Sequence, residues 1–173
     1  SWTLYLDRDG VINTHRPADY VKSIDEFEWI EGAKEAIVYL SKIFGRIVVV
    51  TNQQGIGKGL MSEYDLDKIH WKIQNEISEL GGKIDRIYHC PHLASIQCSC
   101  RKPKSGMAAQ SREDFSEIDY SKSIMIGDMS TDMDFANTID ALAINVGSTV
   151  FKKESLKFKN LKDFSDFLQV IRD

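Results

Sequence analysis

Apolar and polar positions along the chain fall into two alternating rhythms. Strand-like runs stand at 4–7 (LYLD), 46–52 (RIVVVTN), 83–90 (KIDRIYHC), 123–128 (SIMIGD) and 141–146 (ALAINV). The near-continuous apolar stretches IVVV and IMI suit strands buried on both faces. Between these runs, apolar residues recur at helical spacing, which predicts helices over 31–43, 63–80, 106–115, 131–138 and 162–172. Ser62 and Asp65 read as a capping box that opens the second helix, and Gly81-Gly82 stops it. Strands alternating with helices predict an α/β fold, a mainly parallel sheet wrapped on both faces. Ligands of such sheets bind beyond the carboxyl ends of the strands. Three predicted strands end in polar residues: Asp7, Thr51-Asn52 and Asp128.

Composition sharpens this only a little. The 173 residues, 42% hydrophobic and 28% charged, suit one domain over 1–173 with its own core. There is no internal repeat, low-complexity tract or long linker, and no room for a large inserted domain. A net charge of −4 argues against broad affinity for nucleic acid or an anionic membrane. No run of eighteen apolar residues and no secretory pattern is present, so a cytoplasmic protein is expected. Nothing signals a coiled coil, and a monomer is expected.

The candidate chemistry begins with DRDG, where Asp7 and Asp9 follow a buried strand. Residues i and i+2 of an extended chain point the same way, roughly 7 Å apart. At an effective dielectric near 20, two unit charges about 6 Å apart repel by roughly 3 kcal/mol, or about two pKa units for one of them. A cation relieves that repulsion, and so does a proton kept by one carboxyl. A phosphoryl-transfer enzyme uses both: one aspartate as nucleophile and metal ligand, the other held protonated as general acid. Taken alone, DRDG also reads as a turn. In IGDMSTDMDFA, Asp128 follows another buried strand, where it can meet Asp7 around Mg²⁺, a hard ion that takes oxygen ligands. Asp132 fits either that site or the first turn of a helix, whose dipole favours an acid. Asp134 reads as a solvated face residue.

Thr51, Asn52 and the glycines of VVVTNQQGIGKG offer a hydroxyl and free N–H groups for phosphate oxygens. The glycine spacing is neither GxGxxG nor a P-loop, so a nucleotide fold is not supported. CRKPKSGM supplies Arg101, Lys102 and Lys104 as cations for a transferring phosphoryl group. All three cysteines lie within HCPHLASIQCSC. Cys90, His92, Cys98 and Cys100 make a closed Cys₃His set for Zn²⁺, structural because every ligand is committed, in a loop of about 89–101. Free thiols beside a surface histidine are the alternative.

Together, DRDGV, VVTNQQG, CRKP and GDMSTD resemble the four ordered motifs of the haloacid dehalogenase (HAD) superfamily phosphatases, over roughly residues 3–147. The CPH…CxCRKP segment is similar to the group that holds the histidinol-phosphate and D-glycero-D-manno-heptose-1,7-bisphosphate phosphatases. YVKSIDEFEWIEGA and CRKPKSGM lie closer to the heptose enzyme; the short spacer LASIQ lies closer to the histidinol enzyme. The resemblance implies a Rossmann-like three-layer sandwich without a large cap domain. It implies Asp7 as a nucleophile that forms a phosphoaspartate, and Asp9 as the acid and then the base. It implies Asp7, the Asp9 backbone carbonyl and Asp128 as Mg²⁺ ligands, and Thr51 and Lys102 on the phosphoryl group. It favours Lys102 over Lys104. Asn52, Gln53, Arg101 and Tyr20 would contact substrate, and Asp132 would support the metal site or Lys102.

Two departures bear on the substrate. Met129 stands where the heptose enzymes commonly carry lysine, and NTHRPADYV is about two residues longer than the usual form, with Tyr20-Val21 kept. The reading is therefore a Mg²⁺-dependent phosphatase of a small phosphorylated metabolite, a heptose bisphosphate first and histidinol phosphate second. An open-sited nucleic-acid end phosphatase is disfavoured by the acidic balance. A zinc-stabilised binding module without turnover is disfavoured because both Asp7 and Asp9 are present.

Overall fold

The structure, a computed structural model, describes residues 1–149, 151 and 156–173. Its strands are β1 (Thr3–Leu6), β2 (Arg46–Asn52), β3 (Arg86–Cys90), β4 (Ser123–Gly127), β5 (Leu142–Val146) and β6 (Leu156–Phe158). They form one six-stranded sheet in the order β3-β2-β1-β4-β5-β6, and every neighbouring pair is parallel. The helices are α1 (Ala33–Leu40), α2 (Gln54–Gly57), α3 (Glu63–Glu79), α4 (Gly106–Asp114), α5 (Ser130–Thr138) and α6 (Leu161–Arg172).

Alternation along the strands sorts the core into two halves. Leu4, Leu6, Ile47 and Val49 pack with Ile37 and Leu40 of α1, Ile69 and Ile73 of α3 and Phe164 of α6. On the opposite face Tyr5, Val48 and Val50 meet Met107 of α4 and Phe135 and Ala136 of α5. The result is the expected α/β three-layer sandwich. The predicted capping box is formed: the Asp65 N–H donates to Ser62 Oγ at 3.1 Å, and the Ser62 N–H donates to Asp65 Oδ2 at 2.9 Å.

The connectivity places the site. From β1 the chain runs outward through β2 to β3, then returns to the other side of β1 as β4 and continues to β5 and β6. The order thus reverses between β1 and β4, and a crevice opens at such a switch point beyond the strand ends. Four elements lie outside the sequence-based expectation: the short helix α2, the edge strand β6 and two single 3₁₀ turns at Ile24–Glu26 and Tyr120–Lys122. The reading also ran helix α1 too long at both ends. Gly32 precedes α1 with φ of +78°, and after the C-cap Ser41 the chain continues in i→i−3 turns, Lys42 N–H to Tyr39 O and Ile43 N–H to Leu40 O.

Candidate active site

β1 delivers Asp7, whose N–H still donates to Ile126 O of β4 at 3.0 Å. The chain then winds tightly. The N–H groups of Val11, Ile12 and Asn13 converge on the Arg8 carbonyl at 3.2, 2.8 and 3.3 Å. Gly10 makes the bend possible, with φ of +87°. A Cβ there would stand 2.0 Å from Asp128 Oδ2, so glycine also lets the β4 carboxylate close over the β1 loop.

Three carboxylates meet at this crevice. Oxygens of Asp7, Asp128 and Asp132 all lie within 4.8 Å of one another. Lys102 Nζ donates to Asp7 Oδ1 at 2.8 Å and to Asp132 Oδ1 at 2.6 Å, with all three side chains nearly or wholly buried. Asp132 does both things its position allowed. Its Oδ2 also accepts from the Met129 N–H at 3.1 Å, which caps α5. Burial first, and then the charge of Asp132, raise the Asp7 pKa well above the usual range; Lys102 opposes this, and Asp128 adds to it. Burial and the neighbouring Asp132 push Asp128 up to about 6. Burial disfavours the Lys102 ammonium, but Asp132 and Asp7 outweigh it and raise its pKa. One lysine thus faces three acids, and the excess negative charge invites a cation. The donor set fits Mg²⁺: it is all oxygen, and Asp128 Oδ1 is buried without a hydrogen-bond partner.

Asp9 lives in different surroundings. Arg8 Nη2 and Asn13 Nδ2 donate to its Oδ1 at 2.8 and 2.9 Å, and Gln53 Nε2 donates to its Oδ2 at 2.9 Å. Burial favours the neutral acid, yet the Arg8 charge and these hydrogen bonds lower its pKa. This corrects the sequence reading in two ways. The crowding that shifts Asp7 comes from Asp132 and Asp128, not from Asp9. In the resting site it is Asp9 that is held ionised rather than protonated. The spacing of DRDG could not reveal this, because two of the three donors, Asn13 and Gln53, come from the next loop and from just beyond the end of β2.

Around the acids the remaining predicted residues separate into two groups. Asn52, Tyr20, Arg101 and Lys102 line the cavity with Asp7, Asp9 and Asp132. Asn52 is also a tie: its Oδ1 accepts from the Lys102 N–H at 2.9 Å, and its Nδ2 donates to the Lys102 carbonyl at 3.2 Å. Tyr20 Oη accepts from Gln54 Nε2 at 3.1 Å. Arg101 keeps Nη1 buried without a partner. Gln53, expected to touch substrate, does not line the cavity. It is 1% exposed; its Nε2 donates to Asp9 and to Thr51 Oγ1, the latter at 2.9 Å, while its Oε1 is buried without a partner. Thr51 is likewise buried at the end of β2. Sequence reading missed His15, Arg16 and Thr131 on the cavity wall, and Arg8 and Asn13 behind Asp9. The longer 13–20 segment was the only signal for the first two.

Cys90, His92, Cys98 and Cys100 come together, with ligand atoms within 4.8 Å of one another. Cys90 and Cys98 Sγ stand 3.7 Å apart, close to the edge of a tetrahedron with metal–sulfur bonds of about 2.3 Å. Cys90 and Cys100 Sγ stand at 2.7 Å, nearer than two thiolates on one ion and well beyond a disulfide bond of about 2.05 Å. A zinc ion would spread that pair by about 1 Å, to the edge of such a tetrahedron; the soft donor set fits it. The cluster rests on α2. Gly57 has no room for a Cβ, which would meet Pro91 O at 2.6 Å, and Gln54 Oε1 accepts from the Ala94 N–H at 2.6 Å. No residue of 90–100 lines the cavity; the loop reaches it through Arg101 and Lys102.

Comparison with known proteins agrees with this geometry. The family model described as polynucleotide kinase 3 phosphatase matches residues 4–166. The chain belongs to that family, among the phosphatases of the HAD superfamily. The D-glycero-alpha-D-manno-heptose-1,7-bisphosphate 7-phosphatase of Mycobacterium tuberculosis (strain ATCC 25618 / H37Rv) is 42% identical over 142 residues, which span 82% of this chain and 75% of that one. The enzyme of the same name from Campylobacter jejuni is 37% identical over 173 residues, covering 96% of this chain and 95% of its own. Among solved structures, D,D-heptose 1,7-bisphosphate phosphatase from B. bronchiseptica, complexed with magnesium and phosphate, superimposes with a TM-score of 0.90 at 28% identity, covering 99% of each chain.

Proposed function

We propose that the protein is a Mg²⁺-dependent phosphatase that removes the 7-phosphate of D-glycero-D-manno-heptose 1,7-bisphosphate. The observation that carries the chemistry is the buried cluster of Asp7, Asp128 and Asp132 bridged by Lys102 at the sheet's switch point. The relatives' names support the substrate.

In this reading Asp7 Oδ attacks phosphorus, and the bond from phosphorus to the sugar oxygen breaks. Asp9 gives a proton to that oxygen. Resting ionised, Asp9 takes that proton from solvent as the substrate binds, because a phosphate dianion arriving beside it raises its proton affinity. Water then attacks the phosphoaspartate, its proton passes to Asp9, and phosphate leaves with Asp7 restored. Lys102 and Thr51 offset charge on the phosphoryl group, and Asp132 holds Lys102 in place. Asp7, Asp128 and the Asp9 carbonyl would hold Mg²⁺, which supplies charge neutralisation for the phosphoryl oxygens. Asn52, Tyr20 and Arg101 contact the sugar or its second phosphate; Gln53 acts behind them, orienting Asp9 and Thr51. Cys90, His92, Cys98 and Cys100 would hold Zn²⁺, which would keep Arg101 and Lys102 in register. The same reading makes residues 1–173 one catalytic domain of a cytoplasmic metabolic enzyme.

The test is a side-by-side rate measurement with Mg²⁺ on heptose 1,7-bisphosphate and on histidinol phosphate. The expected result is a kcat/KM at least about 100-fold higher for the heptose, a discrimination of roughly 2.7 kcal/mol. A preference for histidinol phosphate would transfer the assignment to that substrate.

A further inference from the structure

Arg8 is the largest wholly buried side chain among the described residues, and the mechanism above leaves it unused. Its guanidinium spans two groups. Nη2 donates to Asp9 Oδ1 at 2.8 Å, and Nη1 stands 3.2 Å from Nε2 of His70, a buried residue of α3. Nε has no partner. An arginine only donates, so His70 Nε2 must accept, which places the ring proton on Nδ1. A neutral ring suits the place: burial, then the Arg8 charge and the nearby His89, depress the His70 pKa well below its usual value. Neither Arg8 nor His70 lines the cavity. A charge buried this deeply is costly unless paired and hydrogen-bonded, and here Asp9 and His70 are its side-chain partners.

We propose that His70 and Arg8 form a positioning pair for Asp9: His70 fixes the plane of the guanidinium, and the guanidinium fixes the carboxylate that exchanges a proton with the leaving oxygen. This rests on the phosphatase reading above. Asn13 and Gln53 anchor the same carboxylate from other sides, so His70 sets the fine aim rather than the presence of the group. The site's acid–base step is thereby coupled to α3, whose first turn lies at the surface.

The pair acts only where a proton is needed, and that gives a readout that loss of packing would not imitate. A 4-nitrophenolate leaves without protonation, whereas the alkoxide of benzyl phosphate needs it. Because kcat/KM reports events up to the first irreversible step, His70→Leu should lower it about tenfold or more for benzyl phosphate and less than about threefold for 4-nitrophenyl phosphate. His70→Gln, whose Oε1 can accept from Arg8, should restore most of the benzyl rate. Equal losses on both esters, no loss on either, or no recovery in His70→Gln would overturn the proposal. Should His70→Leu fail to fold, Arg8→Lys carries the test: an ammonium lacks the planar fork that bridges Asp9 and His70, so the same leaving-group-dependent loss is expected, and a uniform loss contradicts it. Wild-type protein inert towards both esters with Mg²⁺ would instead refute the phosphatase reading itself.

Discussion

Lys102 lies 3% exposed between Asp7 and Asp132, and its removal leaves two buried carboxylates facing each other. Breaking a buried pair by deleting one partner costs roughly 3 kcal/mol or more. Lys102→Met should therefore lower stability by about that amount in urea at pH 8, and less at pH 5, where Asp7 can take up a proton in place of the lost charge. An undiminished midpoint at pH 8 would mean that the ion pairs are not what holds this site. At this scale the sequence was a good guide to which residues matter and a poor one to what surrounds them. The acids at the ends of β1 and β4 were legible because strand ends in parallel sheets collect ligands. Their environments were not: the donors to Asp9 come from Arg8, Asn13 and Gln53, and the repulsion on Asp7 comes from Asp132, all of them set by folding. Gln53 shows the cost of reading a motif as a surface, since its amide is buried and turned inward.

Among the elements, the five longer strands and five longer helices were visible because apolar periodicity and burial coincide in them. β6 was not: its three residues, Leu156–Phe158, carry too little pattern, and only pairing with β5 defines them. α2 is a single turn, fixed by tertiary contacts with Tyr20 and the cysteine loop rather than by propensity. The loop itself was legible from ligand type and spacing, although its route to the active site was not. It joins β3 to Arg101 and Lys102, and its four donors converge closely enough to share one ion. One equivalent of zinc is expected by elemental analysis. Chelation should lower Tm by several degrees and increase amide exchange over 90–101. Cys98→Ala, without zinc, should lose catalytic efficiency as Arg101 and Lys102 drift. Metal-free protein with an unchanged melting curve would contradict the zinc assignment.

For the whole molecule, the charge excess at the switch point should make stability depend on pH and on Mg²⁺ together. The folded-state pKa of Asp128 is raised to about 6, and that of Asp7 is raised as well. A carboxyl with a raised pKa binds its proton more tightly folded than unfolded. The metal-free protein is thus stabilised by those protons at low pH and loses that stability as pH rises from about 4 through about 6. In the proposed reading Mg²⁺ competes with the protons. Its stabilising effect should be small at pH 5 and larger at pH 7.5, read as the shift in Tm with and without the ion. A shift equal at both values would show that the ion does not bind these carboxylates.

Mg²⁺-dependent phosphate release by the wild type and by Asp7→Asn, with folding of the variant confirmed by its circular dichroism, tests the central claim most directly. Turnover in the wild type that requires Mg²⁺, and its loss by at least about 1,000-fold in folded Asp7→Asn, is the predicted result. Phosphate release that survives in the variant would contradict the account.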